Sequence, residues 1–250
     1  MDQGKELIRL ALFGLPIKSS LSPSIHRMFA DQFGLNIEYQ RIEIGADGFP
    51  GALEAFRLEG GTGCNVTLPL KRDAWQLAAQ SSPEAGQAQA ANTLVYQPSS
   101  GWFAHNTDGA GLVADLAGNP RQVVLVNRNL DRARILARRF GTLGNIDVKG
   151  WIDLPGLDSF DVVINATSLG HHGEAPPLFA TMFSPGAVCY DLNYFKASQP
   201  LKALCKDIGQ SYIDGLGMLV EQAAKSFYIW TGKRPESRAV IENIRGELPG

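Results

Sequence analysis

The chain has 250 residues, 44% of them hydrophobic, and a formal net charge of −2. This length and hydrophobic content are sufficient for one large domain or two modest ones. The balanced charge offers no basic surface for nucleic acid or an anionic membrane, and no run approaches the roughly 18 apolar residues of a membrane span. The three cysteines, Cys64, Cys189 and Cys205, are far apart in sequence, so reduced thiols in a cytoplasmic protein are the simplest interpretation.

The first half of the chain alternates predicted strands and helices. "LIRLALFG" is a β-like run, and "SPSIHRMFADQFG" has helical apolar spacing, with Ser22 predicted as N-cap and Gly34 as its end. "IEYQRIEI" and "GCNVTLP" are predicted strands on either side of the predicted helix "FPGALEAFRLEGG". "KRDAWQLAA" is predicted to be helical, and "AANTLVYQ" and "GWFAHNTDG" to form a strand pair. "QSSPEAG" and "QPSSG" are predicted loops.

The second half follows a stricter βαβ pattern, which predicts a mostly parallel sheet. "QVVLVN", "FDVVINAT" and "AVCYDLNY" are apolar enough for strands buried on both faces. Asn129 is predicted to cap the helix "LDRARILARRF", which Gly141 ends. Two C-terminal helices, "GMLVEQAAKSFYIWTG" and "RPESRAVIENIRGEL", complete the chain. The predicted class is therefore α/β with two domains.

Four stretches of the first half place small polar side chains at predicted strand ends: "SSLSPSIH", "NVTLPLK", "AANTL" and "HNTDGAG". Their hydroxyls and amides could together bind a compact polyol or hydroxy acid, the candidates being Ser20, Ser22, Asn65, Thr67, Asn92 and Asn106. Lys71 and Asp108 are the only charged residues in the last three stretches. A ketone that accepts hydride becomes an alkoxide, which an ammonium can protonate while a carboxylate holds the ammonium in place. Taken singly, each stretch also fits ordinary capping and turn formation.

Taken together, these stretches resemble the shikimate dehydrogenase family over about Leu12 to Trp230. The segments that carry the resemblance occur in that family's order: "FGLPIKSSLSPSIH", "NVTLPLK", "ANTL", "NTDGAG", "VNRN", "INATSLG", "YDLNY" and "DGLGMLVEQAA". Such an ordered set is more specific than a lone glycine fingerprint. The resemblance implies an oxidoreductase that reversibly reduces 3-dehydroshikimate to shikimate with NADPH, in chorismate and aromatic amino acid biosynthesis. It leaves a monomer or a homodimer open.

The resemblance also implies a role for individual residues. Lys71 and Asp108 would be the catalytic pair, and Ser20 and Ser22 would hold the substrate carboxylate. The ring hydroxyls and carboxylate would be bound by Thr67, Asn92, Tyr194 and Gln222. Asn65 would lie near the substrate, in a role that overlaps with turn formation. Ser19 is a small departure, because the family usually has histidine before the first serine.

The end of the "VVLV" strand bears on the choice of dinucleotide. An NAD-specific fold usually has an acidic residue there, which binds the ribose 2′-hydroxyl. This chain instead has Asn127 and Arg128, with Arg132 one helical turn later, and guanidiniums can bind a 2′-phosphate. The alternative is that Arg128 and Arg132 are simply solvated residues at the start of a helix and bind no phosphate. The resemblance favours NADP, and it places Leu192 and Gly215 near the nicotinamide.

The expected pyrophosphate-binding segment is missing. The family has a strand, a Gly-Ala-Gly-Gly-Ala turn and a helix before "VVLVNR", but only 18 residues separate Asp108 from Val126, whereas a βαβ unit needs roughly 30 or more. Gly109 to Ala114 spells G-x-G-x-x-A, yet the helix it opens is too short to cross a sheet. Two hypotheses stay open: the chain lacks this segment, or the physical protein contains residues beyond these 250, with the turn at Gly118–Pro120 marking the joint.

The predicted organisation has a substrate-binding and catalytic domain in residues 1–109 plus 216–250. A Rossmann-like, doubly wound NADP-binding domain, truncated by the missing segment, occupies 110–215. No metal is expected, because His171, His172 and Glu174 offer no fourth ligand and suit a mobile loop. Two alternatives to the main function remain: a quinate/shikimate dehydrogenase that uses NAD, and a non-catalytic shikimate-binding protein.

Overall fold

The computed structural model describes residues 6–116, 121–142 and 144–247. The chain divides into two compact units: unit 1 is Met1–Leu116 with Met218–Gly250, and unit 2 is Ala117–Gly217. The predicted turn at Gly118–Pro120 lies outside the described residues. No helix of the described residues is both long and apolar enough to cross a bilayer.

Unit 1 is built on a six-stranded sheet with the strand order β2–β1–β3–β5–β6–β4. The strands are β1 Leu7–Gly14, β2 Asn36–Glu43, β3 Gly61–Val66, β4 Gln80–Ser81, β5 Thr93–Gln97 and β6 Gly101–His105. β1 pairs in parallel with β2 and β3, whereas β5 pairs antiparallel with β3 and β6. The register sets Asn65 opposite Thr93. The polar ends of β3 and β5 therefore lie side by side.

The helices of unit 1 cover this sheet. They are α1 Ser22–Phe33, α2 Phe49–Leu58, α3 Lys71–Leu77, α4 Pro83–Ala88, α5 Asp108–Leu116, α9 Ser237–Gly246 and, apart from its first residues, α8 Leu216–Thr231. Phe13 of β1 packs edge-on against Phe49 and Phe56 of α2. All three rings are fully or almost fully buried, which gives the sheet a rigid apolar support for the polar strand ends.

Two local predictions for unit 1 are wrong. Ser22 is not the N-cap of α1 but its first residue, and the cap position is Leu21. The Ser22 hydroxyl instead accepts a hydrogen bond from Ser20 Oγ at 3.2 Å. The predicted loop "QSSPEAG" contains β4 and the start of α4. Ser82 Oγ accepts a hydrogen bond from the Ala85 backbone N–H, and Pro83 occupies the first turn of α4. These capping residues start a helix in a segment whose composition is typical of a loop.

Unit 2 contains parallel strands, as predicted, but in two separate sheets. β7 Val123–Val126 pairs with β8 Ile146–Lys149, and β9 Phe160–Asn165, β10 Phe183–Asp191 and β11 Ser211–Ile213 form the other sheet. All these pairings are parallel. The helices are α6 Leu130–Phe140 and α7 Gln199–Asp207. The predicted α6 is confirmed at both ends, because the Asn129 side chain accepts from the Arg132 N–H and Gly141 follows the last residue.

Short 3-10 helices fill the connections at Ala46–Gly48, Trp151–Gly156, Leu169–His172, Ala180–Met182 and Phe195–Ser198. His171 and His172 lie in one of them, where the sequence suggested a loop. Beneath the three-stranded sheet, a core of buried residues includes Leu154, Met182, Cys189 and Leu201. This core contains Cys189 of β10 and packs against Val163 of β9 and Tyr212 of β11.

Candidate active site

Lys71 and Asp108 form an ion pair at the beginnings of α3 and α5. Lys71 Nζ donates to Asp108 Oδ2 at 2.5 Å, and each side chain is 29% exposed. The second carboxylate oxygen, Oδ1, accepts from Asn92 Nδ2 at 2.9 Å. The first turn of a helix also favours a negative charge. Asp108 is therefore held at both oxygens, and the ammonium that it holds stays accessible to a small molecule.

Asn92 joins this pair to the surrounding elements. The side chain is 3% exposed, and its Nδ2 lies 2.8 Å from Thr107 Oγ1 and 3.1 Å from Gln222 Oε1. Its Oδ1 accepts from the Thr107 backbone N–H at 2.8 Å. A single amide thereby ties the start of β5 to α5 and α8. Thr107, which the sequence analysis missed, lies between the two recognised polar residues of "NTD".

A second amide, Asn65, is committed to other protein groups. Its Nδ2 lies within 3.2 Å of Asn92 O, Thr93 Oγ1 and Ser226 Oγ. Its Oδ1 accepts from Tyr39 Oη at 2.8 Å and faces His26 Nε2 at 3.1 Å. Asn65 is 6% exposed. Its geometry suits it to position the strand ends.

His26 and Tyr39 were also absent from the sequence prediction. The two rings stack with centroids 4.7 Å apart, and Phe227 and Trp230 of α8 pack on His26. The Asn65 oxygen is an acceptor, so Nε2 of His26 must carry the proton. Burial lowers the pKa of His26 to about 3, although its bond to Asn65 acts in the opposite direction. Burial likewise raises the pKa of Tyr39 well above its ordinary value.

Because folded His26 stays neutral, we expect unit 1 to lose stability as the pH falls. At pH values between the ordinary pKa of 6.5 and the folded-state pKa of about 3, His26 is protonated in the unfolded chain but not in the folded chain. The free energy of unfolding should then fall by at most about 1.4 kcal/mol per pH unit from this group. Urea unfolding at about pH 7 and about pH 5 measures it. His26→Gln should flatten the slope, whereas the exposed His172→Gln should not, and an unchanged slope in His26→Gln would contradict the assignment.

The predicted carboxylate-binding serines lie together and connect to the same network. Ser20 Oγ donates to Ser22 Oγ and accepts from the Ser22 backbone N–H. Ser22 also contacts the Tyr39 hydroxyl, and Tyr39 reaches Asn65. Arg41 Nη2 donates to the Ser20 carbonyl at 2.7 Å, so an exposed cation neighbours these hydroxyls. Hydrogen bonds run from Tyr39 through Asn65 and Asn92 to the ion pair.

Two further predicted substrate residues flank the network. Gln222 Oε1 accepts from Asn92, and its Nε2 donates to the Leu219 carbonyl at 2.7 Å. Ser226, one turn further along α8, forms hydrogen bonds with Thr93 and Asn65.

Thr67 follows β3, and its backbone N–H donates to the Phe13 carbonyl at 2.9 Å. Its methyl group would lie 2.4 Å from a Cβ added at Gly14, so glycine leaves room for the strand end that carries Thr67.

The glycines of "DGAG" do not form a phosphate-binding turn. Gly109 and Gly111 both lie inside α5. A Cβ at Gly111 would lie 2.8 Å from Gln222 N and 2.9 Å from Met218 O, whereas one at Gly109 would meet nothing within 4 Å. Gly111 therefore allows the backbones of α5 and α8 to approach closely.

In unit 2, the predicted nicotinamide residues Leu192 and Gly215 are neighbours. A Cβ at Gly215 would lie 2.3 Å from the Leu192 carbonyl oxygen, so the site requires glycine. The buried Asp191 carboxylate organises this loop by accepting from Asn165 Nδ2 at 2.9 Å, the Asn193 N–H at 3.0 Å and Tyr212 Oη at 3.1 Å. Tyr194 follows in the same loop, and burial raises its pKa. Asp191 and Asn165 were not predicted from the sequence as site residues.

The predicted 2′-phosphate residues follow β7. Asn127 Oδ1 accepts from the Asn129 N–H, which fixes the turn into α6. Arg128 and Arg132 are both exposed, and the Arg128 guanidinium lies 5.2 Å from the centroid of the Trp151 ring. Two accessible guanidiniums beside a rigid turn suit a dianionic phosphate. Among the described parts of the chain, no cluster of His, Cys, Asp and Glu could hold a metal ion.

Comparisons with known proteins show which family this sequence matches. The sequence model of the shikimate dehydrogenase substrate binding domain matches residues 12–94, and that of the shikimate 5′-dehydrogenase C-terminal domain matches residues 215–244. The shikimate dehydrogenase (NADP(+)) of Alkalilimnicola ehrlichii is 41% identical over 270 residues, covering 96% of this chain and 99% of the relative. Because this chain has 250 residues, at least 20 positions of that alignment have no counterpart in it.

Two solved structures illustrate the likeness in fold. The crystal structure of an Ael1 enzyme from Pseudomonas putida has a TM-score of 0.88 and 34% identity, covering 97% of this chain and 99% of that one. A shikimate 5-dehydrogenase from Thermus thermophilus, in complex with NADP(H) and shikimate, has a TM-score of 0.79 and 28% identity, covering 96% of this chain and 100% of that one.

Proposed function

This chain belongs to the shikimate dehydrogenase family, and we propose that it catalyses the reversible, NADPH-dependent reduction of 3-dehydroshikimate to shikimate. The observation that carries the proposal is the accessible Lys71–Asp108 pair, held by Asn92 among hydroxyl and amide groups. An ammonium of this kind suits a ketone whose oxygen gains negative charge during reduction.

The chemistry of the chain itself is proton transfer and orientation. NADPH, when bound, would supply the hydride for the carbonyl carbon. As the carbonyl oxygen gains charge, Lys71 Nζ donates a proton to it, and in the oxidation direction Nζ accepts the hydroxyl proton. Asp108 holds Nζ in place and balances its charge. Since Lys71 is partly exposed, its proton can be exchanged with solvent between turnovers.

The polar groups around the pair suit a polyhydroxylated acid. We assign Ser20 and Ser22 to the substrate carboxylate, and Thr67, Asn92, Gln222 and Tyr194 to hydroxyl and carboxylate contacts. Asn65 is assigned to positioning, because its amide atoms already engage Tyr39, His26, Asn92, Thr93 and Ser226. A buried amide with protein partners at both ends has little capacity left for a ligand.

The cofactor assignment is NADP. Asn127, Arg128 and Arg132 would hold the adenosine 2′-phosphate, and Leu192 with Gly215 would lie by the nicotinamide. The exposed guanidiniums and the close approach at Gly215 fit this ligand. The stretch from Asp108 to Val126 contains no Gly-Ala-Gly-Gly-Ala turn for the pyrophosphate. This observation favours a second candidate function, a non-catalytic protein that binds shikimate.

Removing both arginines should change the cofactor preference. We expect Arg128→Ala/Arg132→Ala to raise the KM for NADP by roughly tenfold to a hundredfold, because a charge-assisted hydrogen bond contributes about 1.5–3 kcal/mol. The KM for NAD should change little. The matched control is Arg134→Ala, which removes an exposed arginine of α6 that pairs with Asp131. Equal effects on both dinucleotides would contradict the 2′-phosphate assignment and favour the NAD-dependent alternative.

Initial rates for the four combinations of shikimate or quinate with NADP or NAD test the function as a whole. The proposal predicts the highest kcat/KM for shikimate with NADP. A preference for quinate with NAD would support the quinate/shikimate dehydrogenase. Shikimate binding with no turnover in any combination would support the non-catalytic protein.

A further inference from the structure

Phe195 has an unusual backbone conformation, directly after the predicted substrate residue Tyr194. Its φ is 56°, in the left-handed region, where a bulky side chain is strained. Among the described residues, Gln89 is the one other non-glycine position with a positive φ, at 51°. Gln89 follows the last residue of α4, where a left-handed residue commonly ends a helix. Phe195 instead begins a 3-10 helix, so helix capping does not account for its conformation.

The residues that follow and surround Phe195 hold this conformation in place. Ser198 Oγ donates to the Phe195 carbonyl at 2.7 Å, and Ser198 is 3% exposed. The Ser198 carbonyl in turn accepts from Tyr212 Oη at 3.3 Å. A Cβ added at Gly170 would overlap the Ala197 carbonyl oxygen, so the turn is packed directly on the backbone of another segment. A strained residue persists only where its surroundings fix it in this way, and such residues cluster at functional sites.

The segment before Phe195 is fixed as well. The Asn193 side chain donates to the Asp191 carboxylate at 2.8 Å and to the Thr167 carbonyl at 3.1 Å. The Asn193 carbonyl accepts from the Gly215 N–H at 3.0 Å, and Asn193 is buried. Tyr194 therefore lies between two anchored stretches of backbone.

The strained turn brings two aromatic rings together. Tyr194 itself has an extended backbone, and successive side chains of an extended chain point to opposite sides. Changing φ from the roughly −120° of an extended residue to 56° turns the Phe195 side chain to about the side of Tyr194. The two ring centroids lie 5.1 Å apart with the planes at 88°, an edge-to-face geometry that aromatic pairs favour. The contact between the rings therefore depends on the left-handed conformation.

We propose that Phe195 is a positioning residue, whose left-handed backbone sets its ring edge-on against Tyr194 and thereby holds the Tyr194 hydroxyl in one orientation for the substrate. This inference rests on the proposed function in one respect, the contact between Tyr194 and the substrate. Phe195 acts only through Tyr194, so it affects substrate binding and not the proton transfer at Lys71.

Removing the Phe195 ring gives the first test. We expect Phe195→Ala to raise the KM for shikimate roughly threefold to tenfold, the equivalent of one neutral hydrogen bond, with kcat and the KM for NADP within about twofold of the parent. Phe195→Tyr keeps the ring and should retain the parent KM. Phe179→Ala, which removes a 43% exposed phenylalanine of unit 2, is the matched control and should also retain it. An unchanged KM in Phe195→Ala, when Tyr194→Phe raises the KM, would overturn the proposal.

A double-mutant cycle shows whether Phe195 acts through Tyr194. Tyr194→Phe removes the hydroxyl and should raise the KM for shikimate by a similar factor. Adding Phe195→Ala to Tyr194→Phe should raise the KM no further, because no hydroxyl remains to be positioned. Effects that multiply in the double variant are those of a general loss of packing, and they would overturn the proposal.

The strained backbone has a test of its own. Phe195→Asn lacks the ring, as Phe195→Ala does, but asparagine tolerates the left-handed conformation better than alanine. Phe195→Asn should therefore have a higher Tm than Phe195→Ala and the same raised KM for shikimate. A Tm equal to or below that of Phe195→Ala would show that the left-handed turn is not maintained and would overturn the proposal.

NMR of isotope-labelled tyrosine rings, without shikimate or NADP, separates this inference from the proposed function. The Tyr194 signals are identified by their loss in Tyr194→Phe. We expect one sharp set in the parent and in Phe179→Ala, and shifted or exchange-broadened signals in Phe195→Ala. Unchanged Tyr194 signals in Phe195→Ala would overturn the inference. Altered signals, together with a normal KM for shikimate in Tyr194→Phe, would support the positioning of the ring and remove Tyr194 from the proposed substrate contacts.

Discussion

Replacing Lys71 with methionine is expected to lower kcat by about a hundredfold to ten-thousandfold, the usual contribution of a general acid or base. Methionine retains most of the aliphatic stem but has no proton to donate and no charge to balance the developing alkoxide. Asp108 remains held by Asn92, and both members of the pair are partly exposed, so the fold should lose at most about 1 kcal/mol. Initial rates of NADP reduction with shikimate measure the effect.

Shikimate binding separates chemistry from recognition in this variant. Calorimetry should give Lys71→Met a shikimate Kd within a few fold of the unsubstituted protein, because hydroxyls and amides make most of the proposed contacts. Arg72→Met, at the next residue of α3, which is exposed, is the matched control and should retain full activity. A kcat for Lys71→Met equal to that of the control would remove Lys71 from the proton transfer.

The second large effect is expected from Gly111→Ala. The added methyl group would lie within 3.0 Å of Gln222 N and Met218 O, both of which are backbone atoms that move only with α8. Overpacking of this kind costs about 1–3 kcal/mol or more. Because α5 begins at Asp108 and α8 carries Gln222, separating the helices would also stretch the bonds that join Asn92 to both. We therefore expect a lower Tm together with at least a tenfold loss of kcat/KM.

Gly109→Ala is the matched control for this prediction. It lies in the same helix, and its added methyl group would meet nothing within 4 Å. Alanine is favoured over glycine inside helices by about 1 kcal/mol, so this variant should be as stable as the parent or more so. Thermal unfolding followed by circular dichroism measures both variants. If Gly109→Ala weakened NADP binding while Gly111→Ala did not, the glycines would act as a phosphate turn after all.

The elements that local signals determine were predictable. α6 begins after Asn129 and ends before Gly141 as the sequence indicates, because a side-chain cap and a terminal glycine act within one turn. The Lys71–Asp108 pair was suggested by the chemistry of the two charged residues and by the family resemblance, but no local pattern could show that two residues on different helices are in contact. The structure adds the geometry that the resemblance could not supply, above all the bonds of Asn92 to Asp108 and Gln222.

Long-range pairing could not be predicted. His26, Asn65 and Ser226 lie on α1, β3 and α8, and their mutual bonds depend on tertiary packing. One weak signal was present, since Gln222 and Ser226 lie four residues apart in α8 and therefore on the same face of that helix. Likewise, apolar runs predicted β7, β9 and β10 of unit 2. They did not predict the short strands β8 and β11 or the division into two sheets, because periodicity indicates burial and not pairing partners.

The measurement that tests the central claim most directly is NADPH formation, followed by absorbance, when the purified chain is mixed with shikimate and NADP, alongside shikimate binding by calorimetry. We expect NADPH formation that requires both compounds and is nearly abolished in Lys71→Met. Shikimate binding without NADPH formation would contradict the proposed activity and would leave a shikimate-binding protein that is not a dehydrogenase.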